Sequence, residues 1–420
     1  MSASLRANLP ILAIFLAVAT CFVQPANCAD WPQFLGPTRN GVSAEKELVD
    51  RWPAGGLPEV WRVDGGIGRS GLVVAGGKVA TMWQDEDEQF VVLLDAATGK
   101  VLWKASVAPA FRNSMGNGSR ATPTIDGDQV FAFTGEGILL AANISDGTVT
   151  WKQNVVKNYF GTQADYGMTS SPLVVGPLVI VIAGVPGASV IAYEKSTGKL
   201  AWKSGSDLAG YSSPTLLEVG GRRQVVAFTG ESVVGLDPET GSQLWHYPFV
   251  TEYYCNSMTP VVIDGRVLIS AGENHGSVLL DFAKSDSGFN VREQWTSLGA
   301  QSSLRAEWQT PVLVDGHLYG FDNVGSAGPV TNLVCVEAAT GKQLWMERRF
   351  GKGNLAYADG KLFITTMVGE IVIARADPHG YAELGREAIM GGTRQPPTIS
   401  DGRIYLRDNR EVICLDVRKK

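Results

Sequence analysis

Clustered positive charge is missing from this chain. Lys and Arg total 36 against 42 Asp and Glu, for a net charge of −6, and no block of basic residues stands out. A nucleic-acid partner is therefore not expected, because phosphate binding needs gathered positive charge. Cysteine is scarce: of five, only Cys255, Cys335 and Cys414 lie beyond residue 29. With no Cys-x-x-Cys pair, a disulfide framework, a zinc site and a Cys-x-x-Cys-His haem attachment all fall away. Cys335 and Cys414 sit in apolar strand patterns and read as small core filler. The histidines His246, His275, His317 and His379 are scattered and show no metal spacing. No Gly-x-Ser-x-Gly elbow supports a hydrolase nucleophile. Charged residues are only 19% and no segment sustains a helical period, which argues against a long helical protein.

Long apolar runs are also absent, with one exception. Arg6 precedes an almost wholly apolar stretch from Leu9 to Val23, and Ala26, Cys28 and Ala29 follow as small residues. This is the pattern of a signal peptide over residues 1–29, and the run is too short for a comfortable membrane span. Pro25-Ala26-Asn27-Cys28 makes a poor lipidation site. The expectation is an exported protein, periplasmic or secreted, with no transmembrane segment after signal removal.

What the chain does have is glycine, 49 residues of it, and repetition. Asp95-Ala-Ala-Thr98-Gly99 leads to Trp103. Similar units lead from Asn143 to Trp151, from Glu194 to Trp202, from Asp237 to Trp245 and from Glu337 to Trp345, with a degenerate copy from Asp281 to Trp295. The acidic or amide residue accepts hydrogen bonds from turn N–H groups, and the glycine takes the positive-φ position. The tryptophan starts the next strand and offers a large apolar face to a neighbour. A second marker counts the units independently: tight turns at Gly76-Gly77, Asp126-Gly127, Gly176-Pro177, Gly220-Gly221, Asp264-Gly265, Asp315-Gly316, Asp359-Gly360 and Asp401-Gly402. Asp-Gly between alternating apolar residues is a strong hairpin signal. The last unit, from Pro397 to Val417, lacks a closing strand with tryptophan. Pro58-Glu59-Val60-Trp61-Arg62-Val63 supplies one, so joining the two ends closes a ring and removes the open edge. These signals predict an all-β, eight-bladed β-propeller of four-stranded antiparallel blades over residues 58–420. Residues 30–57 read as an irregular N-terminal arm packed across the ring.

The acid-x-x-Thr-Gly-x-x-x-Trp unit resembles the tryptophan-docking repeat of pyrroloquinoline quinone (PQQ)-type eight-bladed propellers, and the resemblance covers essentially the whole chain after residue 57. The arm beginning Trp31-Pro32-x-Phe34 is similar to that of secreted bacterial propellers. Two branches share the repeat: quinoprotein alcohol dehydrogenases, and non-enzymatic propellers such as the BamB-type outer-membrane assembly lipoproteins. Fold alone does not decide between them.

In a propeller, the loop entering each blade and the turn between its second and third strands share one face. That face collects long polar and aromatic loops, and the opposite face has short turns, so the first is the expected binding surface. Arg69, Arg120, Tyr166, Tyr211, Asn256, Arg305 and Trp308 are the candidate ligand residues, each close to the first strand of a blade. Arg112, Tyr253, Tyr254, Arg394 and Gln395 lie on the same face. Trp103, Trp151, Trp202, Trp245 and Trp345 are the structural docking residues. The favoured reading is a binding or scaffold module for a protein, peptide or carbohydrate ligand, without catalytic residues, metal or cofactor. The alternative is a PQQ-dependent dehydrogenase of alcohols or sugars, with PQQ and calcium on the axis. There Trp308 would stack, and Asp165 or Glu307 would act as base or ligand. The resemblance implies that such enzymes carry adjacent cysteines under the cofactor and long inserted loops, and this chain has neither. Gly66-Ile-Gly68-Arg-Ser-Gly71 matches a dinucleotide fingerprint, but lies between strands with no helix to receive a pyrophosphate. Asp85-Glu-Asp-Glu88 reads as a solvated hairpin tip, because successive side chains there diverge.

Overall fold

The computed structural model describes residues 29–286, 288–325 and 330–419. The expected signal peptide, including Arg6, the run from Leu9 to Val23 and Cys28, lies outside the described residues except for Ala29. The chain forms eight four-stranded antiparallel sheets. Blades one to seven span residues 73–109, 124–154, 173–204, 215–248, 261–298, 312–347 and 353–388. The eighth combines Thr398–Ser400, Arg403–Arg407 and Glu411–Asp416 with Glu59–Asp64 as its outer strand. That closing pair is in antiparallel register, with Arg62 opposite Ile413 and Asp64 opposite Glu411. Among the described residues no helix is long and apolar enough to cross a membrane.

Local chemistry explains the strands. The first turn of most blades has both central residues at positive φ, for example Asp264 at 49° and Gly265 at 77°, the mirror-image geometry that matches strand twist. In blade two the turn falls one residue later than its sequence pattern implies, on Gly127 and Asp128, and only Gly127 has positive φ. Second and third strands are apolar on both sides because each is sandwiched between neighbouring blades; Leu178–Val185 is buried at every position. Outer strands alternate, as in Leu200–Ser204, since one side meets solvent.

The tryptophans join blade to blade. Trp103 donates its indole N–H to the Ile144 carbonyl, Trp151 to Lys195, Trp202 to Pro238, Trp295 to Ala338 and Trp345 to Asp377, at 2.8–3.1 Å. Except for Trp345, the ring lies on the turn glycine of the next blade. A Cβ on Gly198 would sit 2.6 Å from the Trp151 ring, so glycine is required there by both contact and φ of +67°. Trp61 plays the same part from the N-terminal strand, bonding the Ala96 carbonyl at 3.0 Å and closing the ring. The degenerate copy is a real departure. Gly276–Ser285 and Gly288–Leu298 form one long hairpin in place of the docking turn.

The arm does more than cross the ring. Trp31 pairs with Val74, and the Pro32 carbonyl accepts from the Ile125 N–H at 2.8 Å, so the arm enters alongside the innermost strands of blades one and two. Arg39, 2% exposed, donates to the carbonyls of Ser171, Pro172 and Pro214 at the head of the inner strands of blades three and four. Burial pushes its guanidinium down to about 9, so it stays charged and is solvated by carbonyl dipoles in place of water. The arm then runs out past Tyr357, and Leu48 pairs with Arg418. Residues Trp31 to Val42 therefore occupy the axial channel as a stopper.

Candidate functional site

Above the stopper, on the loop face, the axis opens into a cavity of about 590 Å³. Residues preceding the first strand of every blade line it: Arg69, Arg120, Tyr166, Tyr211, Cys255, Trp308, Lys352 and Arg394 represent the eight in chain order around the ring, with blade eight last. Phe34 of the arm also lines it.

These loops are held in register by small polar residues ahead of each inner strand. The Gly71 N–H donates to Thr122 Oγ1, the Thr122 N–H to Ser171 Oγ and the Ser171 N–H to Ser213 Oγ, at 2.9–3.0 Å. Thr259 and Thr310 repeat the contact between blades five and six at 3.0 Å. In each of these the hydroxyl residue is followed by proline, as in Thr122-Pro123 and Ser213-Pro214. Proline suits the axial edge, where its missing N–H has no ladder partner.

Five of the seven candidate ligand residues, Arg69, Arg120, Tyr166, Tyr211 and Trp308, line the cavity. The other two do not. Asn256 is fully buried, and its amide donates to the carbonyls of Thr229, Phe249 and Gly230 at 2.9–3.2 Å. Its own carbonyl accepts from the Tyr211 N–H, so it supports the wall without facing the opening. Arg305, 4% exposed, is bidentate on Asp322 with both bonds at 2.6 Å and is removed from the cavity by that ion pair.

The two ends of the lining differ in charge. Arg69, Arg120 and Arg394 come from adjacent blades. Arg120 packs its guanidinium 4.8 Å above Phe111 and donates to the carbonyls of Tyr166, Gly116 and Gly118. Burial, then the charges of Arg69 and Arg394, push it down to about 10. Arg69 is shifted the same way, by burial and by Arg394. Arg394 stacks over the Trp308 ring at 5.7 Å. Glu273 and Glu307 also line the cavity, and Glu307 is met by Lys352 at 2.7 Å and Asn323 at 3.0 Å. Tyr166 and Tyr211 stack with centroids 5.3 Å apart. Burial, then the carboxylates of Glu273, Glu307 and Asp165, push the Cys255 thiol up to about 12.

Sequence reasoning placed Arg394 on this face, and Glu273 as part of a Gly-Glu turn, without selecting either, and missed Phe34 and Lys352. For Arg394 a signal existed: it precedes the inner strand of blade eight as Arg69 and Arg120 precede those of blades one and two. Phe34 carries no such signal, because the arm lies outside the repeat.

Comparison with known proteins places this arrangement. The profile of the family described as outer membrane protein assembly factor BamB matches residues 54–159, 87–345 and 330–419. A quinohemoprotein alcohol dehydrogenase, ADH IIB of Pseudomonas putida, is 32% identical over 141 residues, 30% of this chain and 20% of that protein. The outer membrane protein assembly factor BamB of Burkholderia pseudomallei (strain K96243) is 28% identical over 239 residues, 53% of this chain and 57% of that protein. The chain thus matches less than two thirds of the length of both relatives. Among solved structures, BamB from Moraxella catarrhalis superposes with a TM-score of 0.61 at 16% identity, over 87% of this chain and 98% of that one. The quinohemoprotein alcohol dehydrogenase of Comamonas testosteroni gives 0.66 at 16% identity, over 93% and 81%. These likenesses show the propeller fold.

Proposed function

The chain belongs to the family of the outer membrane protein assembly factor BamB, and from that premise we propose that it is an exported binding propeller whose loop face holds a segment of a protein partner. One observation carries the reading. The rim of the cavity face exposes apolar and aromatic side chains on two interblade loops, between blades two and three and between blades four and five: Phe160 at 94%, Val250 at 62% and Tyr253 at 64%. Phe160, Tyr253 and Tyr254 also hold left-handed backbone, with φ of 54–56°, a conformation that bulky residues rarely adopt. Exposed apolar side chains on strained loops are what a recognition surface retains at the expense of stability. Export is part of the proposal. It rests on the apolar N-terminal segment and on the outer-membrane assembly role in the family's description.

The quinone alternative asks for a cation beside the cofactor's reactive carbonyls. The donor set speaks against it. Among the described residues no cluster of His, Cys, Asp and Glu side chains is arranged to hold a metal ion. Glu307 is engaged by Lys352 and Asn323, and Cys255 has no adjacent thiol. The residues present do not fit a calcium-bound quinone.

The test compares the purified protein with a Phe160→Ser/Tyr253→Ser variant in capturing proteins from envelope extract, alongside dye reduction with PQQ, calcium and short alcohols or sugars. Capture that depends on the two aromatic side chains, with no turnover, is the expected result. Tight stoichiometric PQQ binding with substrate-dependent turnover would overturn the reading.

A further inference from the structure

Arg69 and Arg394 are unlike the other buried or half-buried arginines of the ring. Arg305 is neutralised by Asp322, Arg120 is saturated by carbonyls, and Arg39 and Arg407 are caged by main-chain carbonyls together with the Gln33 amide oxygen and the Thr81 hydroxyl. Arg69 and Arg394, both half-buried in the cavity, have neither a carboxylate partner nor a side-chain hydrogen bond among the described residues. They lie close enough to repel one another. Their main chains are nevertheless fixed. Gln395 donates its amide to the Arg69 carbonyl, tying the blade-eight loop to the blade-one loop, and Asn354 donates to the Arg394 carbonyl at 2.8 Å. The Trp308 ring supports the Arg394 guanidinium from one side. Two pre-positioned, unneutralised guanidiniums in a partly desolvated site form a receptor for an anion, since fork geometry matches a carboxylate and desolvation strengthens the bond.

We propose that Arg69 and Arg394 form a carboxylate-binding subsite, and that its ligand is an extended polypeptide segment bearing one carboxylate. The proposal rests on the binding-propeller reading given above and specifies what the cavity selects. A single carboxylate is favoured over a polyanion, because Glu273 on the same lining, with no cation paired to it among the described residues, repels further negative charge. A peptide is favoured over an acidic sugar for two reasons. Of the lining amide and carboxylate groups that would fork onto sugar hydroxyls, all but Glu273 are committed within the chain: Asn354 to Arg394, Gln395 to Arg69 and Glu307 to Lys352. The cavity mouth also carries Met115, 39% exposed, an adaptable apolar contact that suits side chains more than hydroxylated rings.

The experiment is calorimetric titration of the full-length mature protein with four probes. These are acetyl-Ser-Tyr-Leu-Ala-Phe with a free carboxyl terminus, its amide, the amide with glutamate in place of alanine, and trigalacturonate. The expected result is that one or both carboxylate-bearing peptides bind at least about tenfold more tightly than the neutral amide, the margin of a charge-assisted bond. The first and third probes tell a terminal carboxylate from a side-chain one. Arg69→Gln and Arg394→Gln should each erase that margin, while Arg394→Lys, which keeps the charge, should retain part of it. Unchanged melting temperatures exclude misfolding as the cause. If all peptides bind alike and the arginine variants change nothing, the subsite is overturned while the protein-binding face stands. Preference for trigalacturonate overturns the peptide assignment. Failure of every probe to bind the folded protein overturns the subsite. The face reading is judged separately, by whether the Phe160→Ser/Tyr253→Ser variant loses its captured partner.

Discussion

Trp245 donates its indole N–H to Gln224 of its own blade, at 2.7 Å, whereas Trp61, Trp103, Trp151, Trp202, Trp295 and Trp345 each reach a main-chain carbonyl of the next blade. The cause is the neighbour. Blade five has a long hairpin where a docking turn would present its carbonyl, and Phe282 takes up the tryptophan face at 4.7 Å between centroids. Gln224, fully buried, compensates by accepting from Trp245 and donating to the Val219 carbonyl.

Two kinds of docking loss should separate in denaturant unfolding. Trp202→Ala, which empties a site 6% exposed, should destabilise by about 3–5 kcal/mol. Gln224→Leu removes one polar partner and leaves the Trp245 N–H and Val219 carbonyl unpaired, so a loss of about 1–3 kcal/mol is expected. Equal effects would show that the indole hydrogen bond, and not apolar burial, dominates docking.

The stopper should be worth as much as a docking residue. Arg39→Met keeps the apolar stem but strips the carbonyls of Ser171 and Pro214 of their side-chain donor inside the channel, while Pro172 keeps the Thr124 hydroxyl. A loss of about 2–4 kcal/mol follows from buried acceptors left unpaired. Hydrogen exchange should quicken at residues 171–174 before it quickens at the outer strands.

Docking-turn carboxylates set an acid limit. In Asp237 burial opposes ionisation, but hydrogen bonds from Thr240 and Glu239 and the Arg222 ion pair outweigh it, holding the carboxyl below its usual value. A depressed folded pKa gives stability that is fully present above the unfolded value near 4 and is lost as pH falls through the folded one. Asp237→Asn should therefore lower the melting temperature at neutral pH and lose its effect under acid conditions.

Cysteine reactivity reads the cavity directly. Cys335 and Cys414 are fully buried and should resist maleimide until the ring unfolds. Cys255 lines the cavity, but with its thiol pushed up to about 12 it carries little thiolate at pH 8. Its labelling should be at least about tenfold slower than in unfolded chain. A ligand seated on Arg69 and Arg394 should slow it further, by obstruction.

The blade count, the turns and the ring closure were legible because their chemistry is local: a glycine at positive φ, a tryptophan a fixed distance on, and two incomplete ends. The site was legible only as a face. Arg305 and Arg69 both lie in loops leading into inner strands, yet one is consumed by Asp322 and the other stays open. Nothing near residue 305 announces a partner 17 residues away across a strand. The path of the arm was hidden for a related reason. Trp31 finds Val74 and Trp52 lies against Gly385, where a Cβ would come within 2.2 Å, and both contacts exist only once the ring has made their surfaces.

Closure of the ring by Glu59–Asp64 against Glu411–Asp416 also has a consequence for how the molecule is made. The outer strand of blade eight is synthesised first and its partner last. Through almost the whole of translation it waits as an unpaired edge, open to proteases and to other chains. A product terminated anywhere before residue 411 never satisfies it. The seam can therefore form only in a chain that extends through its last strand.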